Sequence, residues 1–203
     1  MANVTFKEQV TAWTTRTKER MLAVRNESVQ RVIEVMQEPG PSKAGTKRAI
    51  AAGAGLGKLK KDGSRGVSKK AFGPVAPGGT GNMPVDTGFL RASLRVGKAP
   101  LSVAVRQPPE NPGSYSWNAS SVSLVLTRLT IEDPIEAKYT SVYARVAEYG
   151  AGGRPARRFV SLAAQQWPQI VQQVCIEARA RTGGGFDQMQ PRAANGRFVS
   201  DRG

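Results

Sequence analysis

Apolar residues recur at helical spacing from the start of the chain: Phe6, Val10, Trp13, Met21, Val24, Val32, Val35 and Met36, with Thr17 and Ser28 in the gaps. Thr5-Phe6-Lys7-Glu8 has the capping-box form, in which the Thr5 hydroxyl and the Glu8 carboxylate satisfy reciprocal backbone N–H groups. Pro39-Gly40-Pro41 closes the run. The pattern predicts one amphipathic helix over residues 5–37. At about 1.5 Å per residue it would extend roughly 45–50 Å, long for a small domain. Either one end packs on a neighbouring subunit, or the helix covers a sheet of its own chain.

Beyond residue 83 the period changes. Leu90 and Leu94 stand four apart, as one apolar face of a helical turn, with Arg91 and Arg95 beside them. Alternation then takes over in Leu94-Arg95-Val96 and in residues 101–106, which read as strand. Pro108-Pro109-Glu110-Asn111-Pro112-Gly113 is a loop that ends at Tyr115 and Trp117, the latter expected as a core aromatic rather than an exposed contact. Residues 121–129, β-branched and alternating, form the most strand-like stretch and are expected to pair antiparallel with 101–106. Tyr139, Val142, Tyr143 and Val146 return to helical spacing over residues 139–150. Gly150-Ala151-Gly152-Gly153 reads as a hinge. Pro155 then suits the first turn of a helix continued by Phe159, Leu162, Ala163, Ile170, Val171, Val174 and Ala178 to about Arg181, with a kink near Trp167 where Pro168 removes a hydrogen bond. The expected class is α+β: a small antiparallel sheet packed by a long N-terminal helix and a C-terminal helix.

Charge adds a second layer of organisation. The chain of 203 residues carries 30 Lys and Arg against 15 Asp and Glu, a net +15 that points to a polyanionic partner. Up to position 38, six basic and five acidic residues nearly cancel. Residues 39–83 instead hold Lys43, Lys47, Arg48, Lys58, Lys60, Lys61, Arg65, Lys69 and Lys70 against the single acid Asp62. That stretch is rich in Gly and Pro and poor in large apolar residues, so it reads as a basic insert or arm that orders only against a partner. Residues 182–203 read as a Gly/Arg-rich tail with Arg192, Arg197 and Arg202. The organisation expected is therefore a long helix in 1–38, an arm in 39–83, an α+β core in 84–181 and a tail in 182–203.

Candidate chemistry is sparse. Histidine is absent, which removes His-based triads, and the lone Cys175 permits neither an internal disulfide nor a Cys/His zinc site. Glu132, Asp133 and Glu136 are the nearest thing to a carboxylate cluster and read as a solvated turn around Pro134. Gly53-Ala54-Gly55-Leu56-Gly57-Lys58 imitates a phosphate loop, but Ala52 stands where the motif needs Gly and Leu59 where it needs Ser or Thr. The expectation is no enzyme, no cofactor and no metal. The first residues hold no apolar signal segment and no run approaches membrane-spanning length, so a soluble protein that stays where it is made is expected.

Two short segments remain. In 84–94, Pro84 fixes its backbone, Asp86 and Thr87 can cap backbone N–H groups, and Gly88 permits a backbone angle or an approach that a Cβ forbids. In 143–159, Glu148 lies among Tyr149, Gly150, Arg154, Arg157 and Arg158, where it would form a structural ion pair or cap the next helix. Pro84, Asp86, Thr87, Gly88, Leu90, Arg91 and Ser93 form P-x-D-T-G-x-L-R-x-S. Tyr143, Ala144, Glu148, Tyr149 and Gly150 follow, then Arg154, Pro155, Ala156, Arg157 and Phe159. In this order and spacing they resemble the neck and tail-completion proteins of long-tailed bacteriophages, the head–tail joining proteins also described as minor tail components. The likeness covers about residues 84–181 and an upstream helix, and leaves the basic insert and the tail outside it. It implies an α+β fold and a ring of copies, commonly six, between head connector or stopper proteins and the tail terminator or tail tube. It also implies residence in the virion after synthesis in the bacterial cytoplasm, with DNA passing through the ring. The alternative is a basic nucleic-acid-binding protein using residues 43–70, although Phe72 is the only aromatic in the arm.

Overall fold

A computed structural model describes residues 5–40, 58–66, 83–110, 113–153 and 156–181. Helix α1, Phe6–Gln37, begins with the expected box: Thr5 accepts from the Glu8 N–H and Glu8 returns a bond to the Thr5 N–H. The second half of α1 packs on the body. Ile33 joins Leu94, Val122 and Leu126 in the first core cluster, with Trp117, Ile135 and Tyr139 packed around it, so Trp117 serves the core. Each such aliphatic side chain, fully buried, contributes about 1.5–3 kcal/mol.

Two-stranded antiparallel sheets and helices make an α+β chain. Strands β1 (Lys58–Leu59) and β2 (Arg65–Gly66) form a hairpin inside the stretch read from sequence as lacking structure of its own. Its tip is fixed by the Asp62 carboxylate, which accepts from the Ser64 N–H and hydroxyl, and by Gly63 at φ +76°. At the edges of the insert, Gly40 N–H donates to the Met83 carbonyl and Met83 N–H donates to Glu38, so the chain leaves and re-enters the body at one place.

The short helix α2 (Phe89–Ala92) leads directly into β3 (Leu94–Lys98). Leu90 and Leu94 therefore do not share a helical face: Leu90 lies in a second cluster with Met83 and Phe159, and Leu94 in the first. Residues 101–106 do not form the expected strand. After the cis Ala99–Pro100 peptide, the Leu101 side chain passes over Gly97. Side chains, not a ladder, hold its backbone: Leu101 N–H donates to Glu136 and Lys138 donates to the Leu101 carbonyl.

The strand expected over 121–129 is helix α3, Ala119–Leu126. Asn118 caps it by accepting from the Ser120 N–H, and Val122 and Leu126, four apart, are buried while Leu124 between them faces solvent. Burial of that one face on Ile33 and Leu94 outweighs the β-propensity of the sequence. Side chains of α1 close the end of α3: Asn26 donates to the Leu126 carbonyl, and Arg25 donates to the carbonyls of Thr130, Ile131 and Asp133. The partner of β3 is instead β4, Ile135–Tyr139, in the register Leu94↔Tyr139 to Lys98↔Ile135.

Tyr139 thus belongs to a strand, and the helix expected over 139–150 shortens to α4, Ala144–Tyr149. The last helical region is broken as Pro168 requires, into α5 (Phe159–Gln165) and α6 (Trp167–Arg181). Its start is Phe159; Pro155 lies outside the described residues. Helix α6 lies along α1 through Arg31, which is paired with both Glu27 and Glu177, and through Arg181, which is paired with Glu27.

Candidate functional site

The motif residues of the two segments meet. Met83, Leu90 and Phe159 are buried together, with Val85, Tyr139, Tyr143, Ala144, Ala147 and Val160 packed around them. Phe89 extends the cluster, its ring edge-on to Tyr115 at 5.4 Å and 6.2 Å from Tyr143. Tyr139 meets Phe159 edge-on at 5.3 Å. Burial, with the Glu148 carboxylate adding, pushes the Tyr139 phenol far up, so it stays neutral.

Within the first segment the residue types match what the backbone demands. Gly88 is left-handed at φ +87°, and a Cβ there would lie 2.1 Å from the Tyr115 carbonyl oxygen. The Thr87 carbonyl accepts from Tyr115 N–H at 2.8 Å, and the Thr87 hydroxyl oxygen accepts from Phe89 N–H at 3.4 Å. The Ser93 hydroxyl donates to the Leu90 carbonyl at 2.7 Å, closing α2, and the Ser93 carbonyl takes both the N–H and the hydroxyl of Thr140. Ser93 thereby ties the end of α2 to the end of β4. Arg91 is half-buried, its guanidinium 5.7 Å from the centre of the Trp117 ring. Pro84 is half-buried and Asp86 exposed.

In the second segment Glu148 is 5 % exposed. Its carboxylate accepts from the N–H of Val160 and of Ser161, each at 2.9 Å, and from the Ser161 hydroxyl. It caps α5, one of the two roles expected for it, and its charge faces the positive end of that helix. Its own carbonyl accepts from Arg158 N–H, and the Ala147 carbonyl from Arg157 N–H, so α4 and the approach to α5 are stitched together. Arg158, left-handed at φ +53°, makes the corner. Tyr149 is exposed at the rim of a shallow groove of about 330 Å³, lined with Arg145, Val146, Gly150 and Ala151. Arg154 and Pro155 lie outside the described residues.

Of the basic arm, Lys60 and Lys61 are exposed on the β1–β2 hairpin, and Lys58 and Arg65 belong to its strands. Lys43, Lys47, Arg48, Lys69 and Lys70 lie outside the described residues, as does most of the glycine-rich stretch that imitates a phosphate loop. The acidic trio is separated by its partners. Glu132 pairs with Lys18, Asp133 with Lys98 and Glu136 with Lys138. Among the described residues no three His, Cys, Asp or Glu side chains group as metal ligands, and no helix is long and apolar enough to cross a membrane.

Sequence reasoning missed β4, whose Tyr139, with Thr140 just after it, joins the two segments. The signal was the alternation in Ile135-Glu136-Ala137-Lys138-Tyr139 immediately after Pro134. Compared with known proteins, the chain matches no family model, no curated protein and no solved structure.

Proposed function

We propose that the chain is a structural virion protein of the phage neck, forming a ring that completes the junction between head connector and tail tube and lets DNA pass. The observation that carries this reading is the convergence of the two motif segments, tens of residues apart, into one buried cluster with capped helices. A shared interior gives these residues one structural role: they shape the scaffold that presents interfaces. Ring closure needs two different patches on each copy. The two-stranded β3–β4 sheet leaves an outer edge on each strand without a strand neighbour among the described residues. The first helix and the basic arm supply further surfaces. Native mass spectrometry and electron microscopy of the purified full chain test the reading. A closed ring, and particles lacking the protein that hold full heads without joined tails, are expected. A protein absent from assembled particles ends it.

The basic hairpin tip supports a second reading, nucleic-acid binding through residues 43–70. Phosphate neutralisation by this arm would give sequence-blind, salt-sensitive affinity. Deleting 43–70 separates the two. The neck reading expects a folded chain that fails at head–tail joining, and a parent protein that retains little DNA at physiological salt. Tight DNA binding by the full chain, lost with the arm, favours the second.

A further inference from the structure

We propose that the first half of α1, from Phe6 to Met21, is a docking helix for an acidic groove with an apolar floor on a different protein. The inference does not depend on the neck reading. Phe6 is 81 % exposed, Val10 44 %, Trp13 55 % and Met21 56 %, although all four lie along one stripe at helical spacing. Among the described residues, α6 runs along α1 as far as Arg181, which pairs with Glu27, and the stripe lies on the N-terminal side of that contact. Nearer the N-terminus, the exposed pair Lys18–Glu132 also ties α1 to the body.

The stripe is less polar than its composition suggests. The hydroxyls of Thr11, Thr14, Thr15 and Thr17 donate back to the carbonyls of Lys7, Val10, Thr11 and Trp13. Those hydroxyl protons are committed within the helix, and Thr14 and Thr17 sit between the apolar residues on the stripe side.

The borders decide the occupant. At about 100° per residue, Lys7 and Lys18 fall along one margin of the stripe and Arg16 along the other, while Glu8 and Glu19 fall on the opposite side. A narrow apolar seam with basic margins is complementary to a groove rimmed by carboxylates. A second copy would bring the same basic margins against each other in a chain of net charge +15. The residues after Arg181 hold Arg192, Arg197 and Arg202 against Asp187 and Asp201, so charge disfavours them too. A lipid surface calls for a broader apolar face than this thread of side chains.

The test titrates the full chain with a labelled four-heptad helical peptide carrying Leu at the seam and Glu at the flanks, and with its twin carrying Lys for Glu. The Glu probe is expected to bind at least about ten-fold tighter than the twin, with affinity falling as salt rises. The double variant Val10→Glu/Trp13→Ala should lose that binding with an unchanged melting temperature and far-ultraviolet circular dichroism, because both side chains are exposed. The charge reversal Lys7→Glu/Arg16→Glu should shift preference to the Lys twin. Equal affinity for the twins, or none for either, overturns the proposal. So does tighter binding to phosphatidylglycerol vesicles, or self-association of the full chain that Val10→Glu abolishes. Ring formation is read separately, by native mass spectrometry, so failure here and failure of the neck reading are distinguishable.

Discussion

Gly88 sits directly beneath the carbonyl of Tyr115: a Cβ on Gly88 would lie 2.1 Å from that oxygen and 3.1 Å from the carbonyl carbon, while φ is +87°. Two independent penalties therefore fall on any side chain here. Left-handed backbone costs a non-glycine residue about 1–2 kcal/mol, and overpacking typically adds about 1–3 kcal/mol. Gly88→Ala is expected to lower stability by roughly 2–5 kcal/mol in urea unfolding. Gly152, at φ +54° with nothing within 4 Å of its built Cβ, carries only the first penalty. Gly152→Ala should cost about 1–2 kcal/mol, and equal losses at the two positions would contradict the clash.

Glu148 holds α5 by three hydrogen bonds to its buried carboxylate. Charge-assisted bonds are worth about 1.5–3 kcal/mol each in mutational series, and truncation leaves the donors of Val160 and Ser161 without their acceptor. Glu148→Ala is expected to cost roughly 2–4 kcal/mol, and Glu148→Gln, which keeps one acceptor oxygen, less than that. Chemical denaturation ranks the pair; an Ala variant as stable as the parent would remove the capping role.

What could be read before the fold was known follows from how local each cause is. The start of α1 and the break at Pro168 are set within a few residues, by the Thr5–Glu8 box and by a missing N–H. Gly88, read as permitting a special backbone angle or a close approach, shows both. Glu148, read as an ion-pair or capping residue, caps α5. Their partners Tyr115, Val160 and Ser161 nonetheless lie further along the chain. Residues 121–129 failed because Val122, Leu124 and Leu126 satisfy alternation while Val122 and Leu126 also satisfy helical spacing. Only the distant partners Ile33 and Leu94 choose between them. The strand β4 was masked by its neighbours Glu132, Asp133 and Pro134, which read as a turn, and it earns its place through pairing with β3. The convergence of the two motif segments depends on that pairing, so spacing alone did not reveal it.

The helical state of 119–126 makes a prediction that a strand would not. In a strand, Leu124 and Leu126 share a face and should respond alike to truncation. In α3, Leu126 is 1 % exposed and Leu124 63 %. Leu126→Ala is expected to cost about 2–5 kcal/mol, and Leu124→Ala to stay within about 0.5 kcal/mol. Thermal and urea unfolding of the two variants decide it, and matched losses would restore the strand.

Acid should loosen the seam between α1 and α6 before neutral or mildly alkaline conditions do. The Arg31 guanidinium, with Gln173 assisting, pulls the Glu177 carboxyl down from 4.5 to about 2, and Lys98, with Thr130, pulls Asp133 from 3.8 to about 2. Glu27 is lowered too, chiefly by Arg181. A carboxylate whose folded pKa lies below its unfolded one binds fewer protons in the folded state. Its stabilisation is complete above the unfolded value and disappears as pH falls through the folded value. The unfolding midpoint should therefore hold steady down to about pH 5 and decline between about pH 4.5 and 2. Glu177→Gln should flatten part of that decline while lowering stability at neutral pH only modestly, since these pairs are solvent-accessible and screened. A variant whose pH profile matches the parent's would show that Glu177 does not contribute to the acid response.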